Sequence, residues 1–328
     1  VTKYYFCAVT ELGTDIQKAA ALLRSGACVA IPTETVYGLA ANAFDVQAVA
    51  DVFRIKQRPS FDPLILHIAS QKQLEGLVTA FPAKARMLAD AFWPGPLTLV
   101  LPKSEKVPYN VTSGLETVGI RIPDHPLTLQ LLRELSFPLA APSANPFGYV
   151  SPTTAQHVLD SLGGKLPYIL DGGPCARGIE STIVGFENGE PVIYRLGSLP
   201  LAEIEKVIGP LRISVNQSSN PVAPGQVKMH YAPLVPLYEM PLKEALKTYH
   251  PEELAVLVFG EAPAGIPPQN RVLLSANGDL YEAARNLFAA LRALDNLPVK
   301  AAIFSYVAGE GIGAAINDRL RRAAARYS

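Results

Sequence analysis

Charge, cysteine, tryptophan and long apolar runs are all scarce in this sequence, and each scarcity excludes something. Charged residues make up only 18% of the 328, and 29 Lys+Arg balance 29 Asp+Glu. A net charge of zero without a basic stripe argues against holding nucleic acid by bulk electrostatics, yet leaves room for a local basic pocket. The three cysteines, Cys7, Cys28 and Cys175, are odd in number and far apart. They suggest neither a disulfide framework nor a zinc cluster, and they fit a reducing compartment. No apolar run is long enough to span a bilayer and the N-terminus has no signal-peptide pattern, so the expectation is a cytoplasmic protein without membrane contact. The P-loop, H-E-x-x-H and G-x-S-x-G patterns are missing too, and the five histidines have no ligand-like spacing. Gly309-Glu-Gly311-Ile-Gly-Ala314 resembles a dinucleotide fingerprint only faintly and reads as a loop before the last helix.

What is present points to a folded two-domain chain. Hydrophobic residues make up 49%, enough for a sizeable core, and the 29 prolines are scattered as loop corners. Length alone suggests two domains. Residues 1–210 carry 17 Lys+Arg and 19 Asp+Glu, and residues 234–328 carry 10 of each. Between them lie only Arg212 and Lys228, in a polar stretch rich in turn formers that includes Asn216 to Gly225. The spacing therefore predicts a first domain over 1–210, an interdomain linker over 211–233 and a second domain over 234–328.

Short apolar runs alternate with helical patterns. Strands are expected at Cys28–Pro32, Leu64–Ala69, Leu97–Leu101, Val118–Ile122, Pro138–Ala141, Tyr168–Leu170 and Thr182–Phe186, and helices at Asp45–Lys56, Pro82–Phe92 and Thr153–Leu162. Asp45 is placed to cap its helix. In the last part, strands at Leu254–Phe259, Val272–Leu274 and Ala301–Phe304 alternate with helices at Tyr281–Leu294 and Ala314–Tyr327, as in a small parallel α/β domain.

Six polar loops border these strands. Thr33-Glu34-Thr35 leaves a strand at its C-terminal end, where α/β sheets bind ligands, although a capped turn has the same composition. Lys56-Gln-Arg58-Pro59 offers cations either to a helix C-terminus or to phosphate. His67 alternates with apolar neighbours, as core histidines do. Arg121 is isolated in an apolar strand and needs an anion there, either a structural carboxylate or a ligand's. Pro142-Ser143-Ala-Asn145 through Ser151-Pro-Thr153 is dense in hydroxyls, and Asp171-Gly-Gly173 through Glu180-Ser181-Thr182 permits close backbone approach.

Pro32-Thr-Glu-Thr-Val-Tyr-Gly-Leu39, Lys56-Gln-Arg58-Pro59, Pro63-Leu-Ile-Leu-His67-Ile, Pro142-Ser-Ala-Asn145 and Glu180-Ser-Thr-Ile-Val184 resemble the YrdC-like family of threonylcarbamoyl-AMP synthases. Lys228-Met-His230-Tyr231-Ala-Pro233 and Gly313 to Ala324 resemble its two-domain, Sua-type branch. The resemblance implies a first α/β domain with a twisted open mixed sheet around a positive cavity and a smaller Rossmann-like second domain. It implies that L-threonine, bicarbonate and ATP, with Mg2+, give threonylcarbamoyl-adenylate and pyrophosphate, the product passing to a tRNA threonylcarbamoyl transferase. It places Thr35, His67, Arg121, Ala141 and Ser181 at threonine, and Arg58, Asp62, Thr117, Ser143, Ser151, Arg195 and Tyr231 at ATP. Asp62 stands where the family often carries Asn. Lys56 and Arg58 are expected to face the phosphates as catalytic cations, with magnesium ligands left unassigned. The linker, with Tyr231, is expected to close over the nucleotide as a lid. Two rivals stay open: an RNA-binding module of the same fold, against which the zero net charge argues, and a carbamoyl-transferring maturation factor, against which the missing zinc-finger-like cysteines argue.

Overall fold

The computed structural model describes residues 9–214 and 229–327. Cys7, the turn-rich stretch from Asn216 to Gly225, and Lys228 lie outside the described residues. The first eleven strands form one mixed sheet. They are β1 (Glu11–Gly13), β2 (Val29–Ile31), β3 (Gly38–Asn42), β4 (Ile65–His67), β5 (Leu97–Pro102), β6 (Thr117–Arg121), β7 (Leu139–Ala140), β8 (Tyr168–Leu170), β9 (Thr182–Glu187), β10 (Glu190–Arg195) and β11 (Arg212–Ile213). Their spatial order is β1-β8-β2-β3-β7-β4-β6-β5-β9-β10-β11. β4 runs parallel to β6 and antiparallel to β7, so His67 sits beside Arg121 on one side and Leu139 on the other. β11, just past residue 210, pairs in parallel with β10 at the edge of this sheet.

Four strands form the second sheet: β12 (Leu237–Glu239), β13 (Leu254–Phe259), β14 (Arg271–Ser275) and β15 (Ala301–Phe304). All its pairings are parallel, in the order β12-β15-β13-β14. The helices Leu280–Leu294 and Gly313–Ala324 cover it. Their apolar residues recur at helical spacing, and Leu287, Leu291, Ile316 and Leu320 are fully buried.

Local chemistry sets the element ends. The Asp45 carboxylate accepts from the amides of Gln47 and Ala48, and Thr154 accepts from the His157 amide to start Ala155–Leu162. Asp15 and Asp279 start two further helices in the same way. Several elements escape the sequence reading. β3 is Gly-Leu-Ala-Ala-Asn, poor in β-branched and aromatic residues, and is held by pairing with β2 and β7.

The two units share a core. Val36, Val150 and Ile179 of the first unit pack with Tyr231, Phe288 and Leu291. Arg292 donates to the Val150 carbonyl at 2.6 Å, and Tyr149 donates to Asp295 at 2.7 Å. Gly178, at φ +77°, lies so close to the helix Leu280–Leu294 that a Cβ there would fall 2.3 Å from the Arg285 Cα. The loops that border the first sheet are thus pinned from outside by the second unit.

Candidate active site

Thr33 builds the first wall. Its hydroxyl accepts from the amides of Thr35 and Val36 and donates to the Val36 carbonyl at 2.6 Å, which curls the chain just after β2. Thr35 then points its hydroxyl at Arg121 Nη1, 2.9 Å away. Arg121 ends β6 and His67 ends β4, so parallel register sets them side by side. Ser181 precedes β9 and shares a 2.8 Å hydrogen bond with Thr98 of β5. Arg195 ends β10 and donates to the Ser181 carbonyl from Nε at 3.0 Å and from Nη2 at 2.9 Å. Gly197 lets these segments touch, because a Cβ there would lie 2.3 Å from the Ser181 carbonyl carbon.

These strand ends line one cavity. Its walls include Thr35, Arg58, His67, Arg121, Ala141, Ser143, Ser181, Arg195 and Tyr231, together with Thr33, Glu180 and His230. Among the described residues, three guanidinium groups therefore meet a single carboxylate on the wall. Each arginine is fixed from behind. Arg58 donates to the carbonyls of Asp62 and Pro63 and lies 2.9 Å from the Asp62 carboxylate. Arg121 donates from Nε to the Gly95 carbonyl and lies 2.6 Å from Glu34. Such anchoring pre-orients planar donors for carboxylate or phosphate oxygens.

Burial shapes the protonation states. Burial first, and Arg121 next, push His67 down to about 3, so its imidazole is neutral at ordinary pH. Burial lowers Arg195 to about 10, partly offset by Tyr231 and Glu180. Burial acts to raise Glu180, but Arg319 and then Arg195 outweigh it and hold the carboxyl below its ordinary value. Burial raises both Cys28 and Cys175 to about 12, so neither thiol is a ready nucleophile.

Four expected residues do not reach the wall. Lys56 does not face the cavity: its ammonium is buried and donates to the carbonyls of Ser143 and Asn145, both at 2.5 Å. The helix that ends at Lys56 aims it inward, and its own carbonyl accepts from the Phe147 amide. Lys56 is thus the tie that shapes the loop carrying Ser143. Asp62 is fully buried behind Arg58 as its counter-ion. Thr117 begins β6, at the opposite end from Arg121. Ser151 is fully buried and donates to Glu180 Oε1 at 2.8 Å, one layer behind the wall.

Tyr231 has a double place. It lines the cavity, and it stacks on Phe288 with ring centroids 5.2 Å apart. Its φ of +67° and its buried hydroxyl without a hydrogen-bond partner mark a strained position. Of the linker 211–233 expected to close as a lid, residues 215–228 lie outside the described residues. Glu34, Glu180 and Arg319 are absent from the sequence-derived site. Glu34 and Glu180 stand inside the motifs that carry the resemblance, and for Glu34 the available signal is that Arg121, isolated in an apolar strand, needs an anion. Arg319 had none, because its partner lies 139 positions away.

Comparison with known proteins agrees with this geometry. Residues 21–197 match a family model described as "Telomere recombination", which covers the Sua5, YciO and YrdC proteins. Residues 199–325 match the model "Threonylcarbamoyl-AMP synthase, C-terminal domain". The threonylcarbamoyl-AMP synthase of Pyrococcus abyssi is 45% identical over 321 residues, 94% of this chain and 93% of that protein. The Bacillus subtilis enzyme of the same name is 43% identical and covers 98% of both chains. A crystal structure of the P. abyssi Sua5 protein complexed with L-threonine superposes with a TM-score of 0.88 at 44% identity, covering 94% of each chain.

Proposed function

The chain belongs to the two-domain threonylcarbamoyl-AMP synthase family, and from that premise we propose that its cavity joins L-threonine, bicarbonate and ATP into threonylcarbamoyl-adenylate and pyrophosphate. The carrying observation is the convergence of Arg58, Arg121 and Arg195 on one cavity that also holds hydroxyls and a neutral imidazole. This set suits a substrate pair with one carboxylate, one alcohol and a triphosphate.

In this reading Arg121 takes the threonine carboxylate in its fork. Thr35, His67 and Ser181 stand within the same cavity to receive the hydroxyl and amine, with the Ala141 backbone beside them. Arg58, Ser143 and Arg195 face the phosphates, and Tyr231 the nucleotide. The threonine nitrogen forms a C–N bond to the carbon supplied by bicarbonate, with loss of water. A carbamate oxygen then attacks the α-phosphorus, and the bond to the β-phosphate oxygen breaks to release pyrophosphate. The class is nucleotidyl transfer, and no covalent protein nucleophile is needed. The protein supplies positioning and charge neutralisation, the two main levers of phosphoryl chemistry.

Magnesium enters as part of the ATP substrate. Among the described residues no group of three His, Cys, Asp or Glu side chains is placed to hold an ion. Glu180, the carboxylate on the wall, is already engaged by Arg319 and Ser151. Magnesium commonly binds substrate phosphates and keeps several waters, which fits a site without a protein cage. The adenylate is a mixed anhydride, so a tRNA threonylcarbamoyl transferase is its natural consumer. We place the reaction in the cytoplasm; no helix among the described residues is long and apolar enough to cross a membrane. The test is pyrophosphate release with each substrate omitted in turn. Release should require threonine, bicarbonate and ATP together, and equal release without threonine would overturn the reading.

A further inference from the structure

Most of the cavity wall belongs to the first unit, yet a buried ionic centre of the molecule straddles both. Arg319, on the helix Gly313–Ala324, is fully buried. Its Nε and Nη2 both donate to Glu180 Oε2 at 3.1 Å. Its Nη1 donates to the Leu196 carbonyl at 2.6 Å and to Asp318 at 3.0 Å. The other Glu180 oxygen accepts from Ser151.

Glu180 immediately precedes Ser181, and Leu196 immediately follows Arg195. One guanidinium from the second unit therefore grips both strands of the β9–β10 hairpin where they present Ser181 and Arg195 to the cavity. Those two wall residues are themselves joined, since Arg195 Nη2 also donates to the Ser181 hydroxyl at 3.0 Å. Domain docking alone does not need this arrangement. Asp295 meets Tyr149 and the amides of Leu234 and Val235 without touching the wall.

We propose that Arg319 is a positioning residue for the active site: through Glu180 and the Leu196 carbonyl it sets Ser181 and Arg195, so the site is complete only with the second unit docked. The inference rests on the threonine-binding reading of the cavity. Removing Arg319 leaves Glu180 buried with its remaining cation, Arg195, which it then draws away from Ser181.

The full-length protein tests this with three variants: Arg319→Met, Arg319→Lys, and Asp295→Asn as a docking control. L-threonine binding is measured by calorimetry, and initial rates are measured against threonine and ATP well below each melting temperature. Arg319→Met should raise both the threonine Kd and KM at least tenfold, and Arg319→Lys should recover at least threefold of that loss. Asp295→Asn should stay within twofold of the unaltered protein. If Arg319→Met does not fold, Arg319→Lys alone should still bind threonine at least threefold more weakly. Threonine affinity unchanged in the arginine variants, or equally weakened by Asp295→Asn, would overturn the positioning role alone. Unaltered protein that binds no threonine would overturn the reading of the cavity and this inference with it.

Discussion

Arg121 and Glu34 approach to 2.6 Å with both side chains buried, yet their atoms are not aligned as a hydrogen bond. The pairing is Coulombic contact without directional fit, which makes Glu34 an exchangeable partner. A threonine carboxylate that docks on Arg121 must share it with this resident anion. Arg121→Ala should therefore weaken threonine binding far more than ATP binding, by about 2–5 kcal/mol. Glu34→Gln should tighten threonine binding several-fold while lowering the melting temperature, because Arg121 loses its counter-ion only in the empty protein. Calorimetric titration of both ligands reads these effects. Equal losses for threonine and ATP in Arg121→Ala would make the arginine purely structural.

Side-chain selectivity follows from the neutral His67 and the hydroxyls of Thr35 and Ser181. Valine lacks the hydroxyl and leaves buried polar groups unpaired, so it should be rejected. Serine lacks only a methyl and should lose about 1–3 kcal/mol. Competition binding against threonine measures both. Valine binding as tightly as threonine would refute the pocket assignment.

Lys56 should behave as a structural residue. Its ammonium closes onto the Ser143 and Asn145 carbonyls, so Lys56→Met leaves two buried acceptors unpaired. The expected cost is roughly 2–5 kcal/mol of folding stability. A catalytic lysine predicts the opposite pattern, with the melting temperature kept and kcat lost. Denaturant unfolding alongside steady-state rates separates the two.

The buried histidines set an acid limb of stability. His67 is held near 3 in the folded protein and titrates near 6.5 when unfolded, so the unfolded chain binds the extra proton between those values. The stability from keeping His67 neutral is complete above about pH 6.5 and is lost as the pH falls towards about 3. His157, lowered to about 4, acts in the same direction. Stability should fall from pH 7 to pH 5, and His67→Asn should make that slope shallower, by a difference that approaches one proton, or roughly 1.4 kcal/mol per pH unit, below about pH 5.5. An unchanged slope in urea unfolding at several pH values would refute the assignment.

The sequence was most readable where a short apolar run stops at a polar residue. Ser181 stands at such a boundary, and Arg121 and His67 interrupt apolar strands one or two residues before they end; all three reach the cavity. Asp45 was readable as a helix cap because capping is local. Lys56 and Asp62 were not, since a cation or carboxylate next to a site motif reads the same whether it faces the ligand or braces the wall from behind. β3 escaped because its alanines carry no strand signal and its place comes from neighbours distant in sequence. The Glu180–Arg319 pair escaped for the same reason, since its partners belong to different units.

The 139 residues between Glu180 and Arg319 also impose an order in time. At about 5–20 residues per second, a ribosome takes roughly 7–28 seconds to travel from one to the other. Throughout that interval the nascent first sheet carries a carboxylate destined for a dry interior without its arginine. Burying it early is costly, so the β9–β10 edge should stay loose until the last helix emerges. The growing chain should therefore gain a rigid pocket only once the helix Gly313–Ala324 has emerged, and a product truncated before that helix should show a soft, protease-sensitive edge at that hairpin.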